Sequence, residues 1–183
     1  VGHEEAGSAQ NCGRVLQEAV DHPVRLESGP HTVELTERLT DLGIPVMAHL
    51  GLTPQSVNQT GYTQQANNRD EAEEILELAR EHEDAGAFAL VLEHVPANLA
   101  AQVTAALDIP TIGIGAGGDC DGQVLVFTDV VGLAADSPPF AEQFGDVRSE
   151  VESAVGDYVD AVDSGAFPAE DHASTDDALD DLD

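Results

Sequence analysis

The sequence predicts an α/β fold organised around a parallel sheet, with helices as the crossovers between strands. Three observations carry that expectation. Short apolar runs of β type alternate with segments of helical periodicity from about residue 10 to residue 162. The connections are short, and in an alternating chain of this kind successive strands come to lie side by side in parallel. Gly, His or Glu stands at the strand ends, and Gly43-Ile-Pro-Val is echoed by Asp108-Ile-Pro-Thr, a repetition that favours a barrel over an open sheet. A (β/α)8 TIM barrel takes eight strands and about 250 residues. The pattern here provides five strands, so the barrel is expected to be incomplete over these residues.

The elements follow in order. Residues 10–20 read as a helix leading into a strand over His22–Glu27. Leu35, Leu39 and Leu42 recur at helical spacing, with Gly43 as the stop. Ile44–Leu50 is the next strand, followed by a Gln/Asn-rich loop from about residue 53 to 68. Asp70 is expected to cap an acidic helix that turns Ala72, Ile75, Leu76 and Ala79 inward and ends at Gly86. Ala87–Glu93 is almost continuously apolar, the mark of a strand buried on both faces. Pro96 opens a helix carrying Leu99, Val103 and Leu107. Strands are expected at Pro110–Gly115 and Gln123–Phe127, and Val147, Val151, Val155, Tyr158 and Val162 mark one face of a long amphipathic helix. Residues 1–168 are therefore assigned to a partial barrel domain, and 169–183 to an acidic tail of the composition that stays disordered.

Charge excludes whole classes of partner. The 183 residues include 36 acidic and six basic side chains, for a net charge of −30. All six basic residues are arginine. Such a field repels nucleic acid and anionic membrane, so neither is expected as a partner. A lysine-free acidic surface over an ordinary core, with 42% hydrophobic residues, is that of a protein working in high salt, which screens the self-repulsion. The alternative is an acidic protein of ordinary salt with a solvated tail. No apolar run approaches the ~20 residues that span a bilayer, and no signal peptide is recognisable, so a soluble, cytoplasmic protein is expected. Cys12 and Cys120 share no CxxC spacing and read as reduced thiols.

Residues 112–123, IGIGAGGDCDGQ, contain Gly113-x-Gly115-x-x-Gly118, the spacing of a dinucleotide-binding loop. That loop needs a helix opening on its glycines. Here Asp119–Gly122 reads as a turn into another strand, so NAD is not expected. The glycines are expected to leave room beside a site mouth.

In α/β sheets ligands gather at the carboxyl ends of the strands, which here collect Arg25, Glu27, His49, Glu93 and His94. Glu93 closes the run FALVLE at the edge of a dry strand, where lost hydration makes a carboxylate a better proton acceptor. The equal alternative is a salt-bridged strand end. Arg25 and Glu27 alternate onto the same side of their strand. They offer a cation for a substrate carboxylate and an anion for a hard metal such as Mg²⁺, or else an ion pair inside a barrel. His49 reads as a ligand, an acid or a hydrogen-bonded inner residue.

At these residues the chain resembles a known family. HLGLTPQSVN (49–58), LVLEHVPANLA (90–100) and IPTIGIGAGGDCDGQVLVFTDVVGL (109–133) resemble ketopantoate hydroxymethyltransferases. VRLESG (24–29), PPFAEQF and SGAFPAEDH fit less tightly, and the likeness is collinear from about residue 10 to 172. The resemblance implies a (β/α)8 barrel, usually decameric, related to the phosphoenolpyruvate/isocitrate lyase group, of which these residues would form the last five βα units. It implies transfer of a hydroxymethyl group from 5,10-methylenetetrahydrofolate to 3-methyl-2-oxobutanoate, a small 2-oxo acid, assisted by Mg²⁺. By the same resemblance Glu93 matches the proton acceptor, His49 the active-site histidine, Glu27 a carboxylate at the Mg²⁺ site, and Arg25 the position of a substrate-binding lysine.

The chain also departs from the family. The portion carrying an Asp-Ser motif and a further Asp, which bind metal and substrate, has no counterpart in these residues, so either they are a fragment or the reaction needs that portion supplied. Arg25 puts a planar fork where the family has a compact ammonium. Residues 61–67 lack the lysine and a glycine of the family's loop. A non-catalytic remnant or assembly partner is the competing expectation, and a carbon–carbon lyase of the same barrel group the third.

Overall fold

The computed structural model describes residues 23–53 and 63–175. The helix expected over residues 10–20, Cys12 and most of the Gln/Asn-rich loop lie outside them. The chain divides into two compact units, one spanning Val1–Leu125 and Pro138–Ala141, the other Val126–Ser137 and Glu142–Asp183.

The first unit is built on a sheet in which β1 (Val24–Glu27), β2 (Val46–Gly51), β3 (Ala89–Glu93), β4 (Thr111–Ile114) and β5 (Gly122–Gln123) lie in chain order, every neighbouring pair parallel. Between them run α1 (Val33–Asp41), α2 (Arg69–Asp84) and α3 (Ala97–Ala106). Sequential order without a reversal is the order of a (β/α)8 barrel; a doubly wound sheet reverses at a switch point. The five-stranded sheet is thus a partial sheet of TIM-barrel type.

The helices cover one face of it. Ala48 and Leu50 of β2 and Leu90 and Leu92 of β3 pack with Leu78 and Ala79 of α2 and Leu99, Ala100 and Val103 of α3. Leu35 and Leu39 of α1 close a smaller cluster with Ile44 and Val46. Because side chains alternate along a strand, Arg25, Glu27, His49, Val91 and Glu93 project to the opposite face.

Several elements differ from their sequence pattern for local reasons. Leu42 is 76% exposed, because α1 ends at Asp41 and Gly43, at φ +79°, turns the chain away before a third apolar position can face inward. The cap of α2 is Asn68, whose side chain accepts from the Glu71 amide at 3.0 Å, with Asp70 inside the first turn. Pro96 is the residue before α3, at ψ 137°, and not its first helical residue. The strand expected at Gln123–Phe127 shrinks to Gly122–Gln123, and Phe127–Val130 instead forms a short helix, α4.

In the second unit, Ser137 Oγ donates to the buried Asp129 at 3.2 Å. Its long helix α5 (Val147–Asp163) is capped by Asp146 and carries no buried residue; Val151, Val155, Tyr158 and Val162 are all exposed. Of the tail expected from residue 169, Glu170–His172 form one turn of 3₁₀ helix, with Phe167 between the Tyr158 and His172 rings. Among the described residues, no helix is long and apolar enough to cross a membrane.

Candidate active site

Register converts four separated residues into one group. Glu27 pairs with His49 across β1 and β2, and Gly51 pairs with Glu93 across β2 and β3. Neighbouring strands lie about 4.8 Å apart, so residues of one face on three adjacent strands come within side-chain contact range. His49 stands in the middle, with no exposed surface. Arg25 Nη1 donates to His49 Nδ1 at 2.6 Å. On the other side of the ring, His49 Nε2 lies 3.1 Å from Glu93 Oε2, with Glu93 13% exposed. That approach is off the line of a hydrogen bond, and Nε2 has no hydrogen-bond partner among the described residues. Catalytic contacts often tighten only once substrate is bound.

The backbone around this line is held from both sides. The Ser28 amide donates to the His49 carbonyl at 2.8 Å, and the His49 amide donates back to Ser28 Oγ at 3.2 Å. The Leu52 amide donates to the Glu93 carbonyl at 2.9 Å. Gly51, at φ +96°, makes that approach possible, since a Cβ there would overlap the Glu93 carbonyl oxygen. After Glu93 the chain turns sharply. His94 sits at φ +50°, its amide donating to the Ile114 carbonyl at 2.8 Å and its carbonyl accepting from the Gln65 amide at 2.9 Å. Strained residues of this kind persist where the surroundings fix them, and the His94 ring is fixed against Phe140 at 4.8 Å.

The glycine-rich run serves that packing. A Cβ on Gly115 would stand 2.5 Å from Phe140 Cγ, and one on Gly117 would overlap Ala97 Cβ. Gly113 faces Cys120 and Gln123. No helix opens on these glycines, so the geometry a pyrophosphate loop requires is not formed. Asp121 ties the turn to β4, accepting from the Thr111 amide at 2.8 Å and from its hydroxyl at 3.1 Å, and these bonds hold its carboxyl below the usual carboxylate range.

All four expected site residues therefore lie on one face of the sheet, Arg25 level with Met47 near the start of β2 and Glu93 level with Gly51 at its end. Arg25, His49 and Glu93 form a contact line, and Glu27 is their neighbour on β1 across from His49. The sequence reading missed Ser28, Gly51 and Phe140, which shape the backbone around that line. Ser28 was visible as the polar residue following Glu27, and Gly51 as a glycine at a strand end. Phe140 was visible only within the PPFAEQF segment of the family likeness, because only folding brings it over Gly115.

The residues described do not make a Mg²⁺ site. A hard cation of this size wants about six oxygen ligands in near-octahedral array. No group of three or more His, Cys, Asp or Glu side chains among the described residues could hold a metal ion, which leaves Glu27 as a single carboxylate. A cavity of about 510 Å³ lies between the amino-terminal ends of α2 and α3, lined by Asn68, Ala72, Leu76, Leu99 and Gln102. It is on the helical side of the sheet, away from these groups.

The profile of the family described as ketopantoate hydroxymethyltransferase matches residues 2–170. A 3-methyl-2-oxobutanoate hydroxymethyltransferase of the halophilic archaeon Haloarcula marismortui is 76% identical over 181 residues, covering 99% of this chain and 67% of that protein. One from Halobacterium salinarum is 64% identical over 182 residues, covering 99% and 66%. One from Trichlorobacter lovleyi is 46% identical over 170 residues, covering 92% and 64%. The chain thus spans about two thirds of the length of the curated relatives it matches.

Proposed function

The chain belongs to the ketopantoate hydroxymethyltransferase family, and from that premise we propose that Glu93 is the proton acceptor of a hydroxymethyl transfer to 3-methyl-2-oxobutanoate. The observation that carries the reading is the position of Glu93. Its carboxylate ends a strand buried along its length, backed by a fully buried imidazole and open enough to meet a substrate. A carboxylate so placed can take the C3 proton of a 2-oxo acid. The C–H electron pair then becomes the C2–C3 double bond, and the negative charge moves to the 2-oxo oxygen.

Water adds at the methylene carbon of 5,10-methylenetetrahydrofolate as its two C–N bonds break, leaving tetrahydrofolate and a formaldehyde unit. The C3 carbon of the enolate attacks that unit, whose C=O electron pair takes up the proton held by Glu93, giving ketopantoate. Arg25 keeps donors beyond the Nη1–H used by His49, and these suit the carboxylate of the 2-oxo acid. The His49 ring stands behind the Glu93 carboxylate, Nε2 lying 3.1 Å from Oε2. The net charge of −30 favours a small-molecule reaction over nucleic acid or anionic membrane as partner. In the same reading the protein is cytoplasmic and self-associating, and contributes to pantothenate and coenzyme A synthesis.

The test uses the full-length protein in molar KCl with Mg²⁺. Hydrogen–deuterium exchange at C3 of 3-methyl-2-oxobutanoate, read by proton NMR, isolates proton abstraction from the folate step. Glu93→Gln is expected to abolish both exchange and ketopantoate formation. Exchange at the unsubstituted rate in Glu93→Gln overturns the assignment, and no turnover in either protein favours a non-catalytic remnant.

A further inference from the structure

We infer that Arg25 is a positioning residue that fixes the tautomer of His49, and through it the direction in which Glu93 is held. This rests on the reading of Glu93 given above. The argument starts from hydrogen-bond inventory. A guanidinium carries only donors, and Arg25 Nη1 lies 2.6 Å from His49 Nδ1. Nδ1 must therefore present a lone pair, which leaves the proton of the neutral ring on Nε2. Nε2 is the nitrogen facing Glu93 Oε2 at 3.1 Å.

Burial makes this choice consequential. His49 has no exposed surface, so water cannot satisfy either nitrogen in place of a protein partner. With the opposite tautomer, a ring lone pair would face the carboxylate oxygen across 3.1 Å, a repulsive contact that would turn Glu93 away. The backbone bonds between Ser28 and His49 fix where the ring can stand, but they cannot select which nitrogen carries the proton. Arg25 makes that selection. The Nε2–H then faces Glu93 Oε2 across 3.1 Å, a charge–dipole contact off the line of a hydrogen bond in the substrate-free chain, and Oε1 is left to receive a proton.

This role differs from holding a substrate carboxylate, because it operates in the substrate-free protein. The experiment reads the His49 tautomer from the ¹⁵N resonances of its ring in full-length, substrate-free protein in molar KCl. The unsubstituted protein is expected to show an unprotonated Nδ1 and a protonated Nε2. Arg25→Met, which has no donor, is expected to populate the Nδ1–H form and to lower kcat by roughly 10- to 100-fold, the range for outer groups that orient a histidine, in addition to the rise in KM that loss of the substrate-carboxylate donors brings. Arg25→Lys, which restores a donor, is expected to recover the tautomer and most of kcat. A protonated Nδ1 in the unsubstituted protein overturns the proposal with no variant needed. So does an unchanged tautomer in Arg25→Met, or a loss confined to KM. If Glu93→Gln leaves C3 exchange intact while the tautomer responds to Arg25, the Glu93 reading fails and the positioning role stands.

Discussion

Lowering the pH should destabilise the first unit through one buried histidine. His82, on α2, has no exposed surface. Its Nδ1 lies 3.0 Å from Thr36 Oγ1 of α1. With the Thr36 hydroxyl donating to the Thr32 carbonyl at 3.1 Å, His82 Nδ1 is the donor in that pair. Nε2 is left as a bare lone pair with no partner among the described residues. Protonating the ring would place a charge and an unsatisfied N–H in an apolar interior, and burial lowers the pKa to about 4 from 6.5.

The sign follows from proton counts. Between pH 6.5 and 4 the unfolded chain binds a proton at this site that the folded chain refuses, so stability falls as pH falls. The contribution is fully present above about pH 6.5 and is lost progressively on the way down to about pH 4. At pH 5 the loss is about 2 kcal/mol, and by pH 4 about 3 kcal/mol, at ~1.4 kcal/mol per unit. Carboxylates titrate over the same range, so the informative quantity is a difference between two proteins. Urea unfolding in molar KCl at pH 7.5 and pH 5, for the unsubstituted chain and for His82→Gln, supplies it. His82→Gln should cost about 2 kcal/mol more at pH 7.5 than at pH 5, because Gln does not titrate. An equal cost at the two pH values would refute the reasoning.

Two further outcomes follow from the structure and the composition. Gly51→Ala should destabilise the protein by more than about 2 kcal/mol, combining a left-handed backbone at φ +96° with overlap of the Glu93 carbonyl; thermal unfolding and kcat should fall together, and an unchanged melting temperature would count against the close approach. Stability should also climb steeply with KCl from low salt to molar concentrations as a net charge of −30 is screened. A flat urea midpoint across that range would rule out the high-salt reading of the composition.

The parts of the fold that were legible in the sequence are those decided within one element. Helical periodicity identified Leu35 and Leu39, which are buried, but not Leu42, because the pattern continues past the point where Gly43 ends the helix. The apolar run ending in Glu93 read correctly as an interior strand, since burial on both faces leaves no alternation to misread. The run after Gly122 did not, because Val124 and Val126 follow the last ladder pairing and are exposed. A strand exists only where it has a partner, and a run of β-type residues cannot supply one.

The candidate site divides along the same line. By themselves the residues of this chain determined the alternation of strands and helices, the acidic surface, the family likeness and the identity of Arg25, Glu27, His49 and Glu93. All of these depend on side-chain chemistry or on spacing along one element. Only the tertiary structure decided that β1, β2 and β3 lie in parallel register with Gly51 opposite Glu93, and that His49 is enclosed between Arg25 and Glu93. It alone placed Phe140 over Gly115 and buried His82 against Thr36. Periodicity reports which side of its own element a residue occupies. Distances across elements are set by register and packing between segments tens of residues apart, and those are properties of the folded chain.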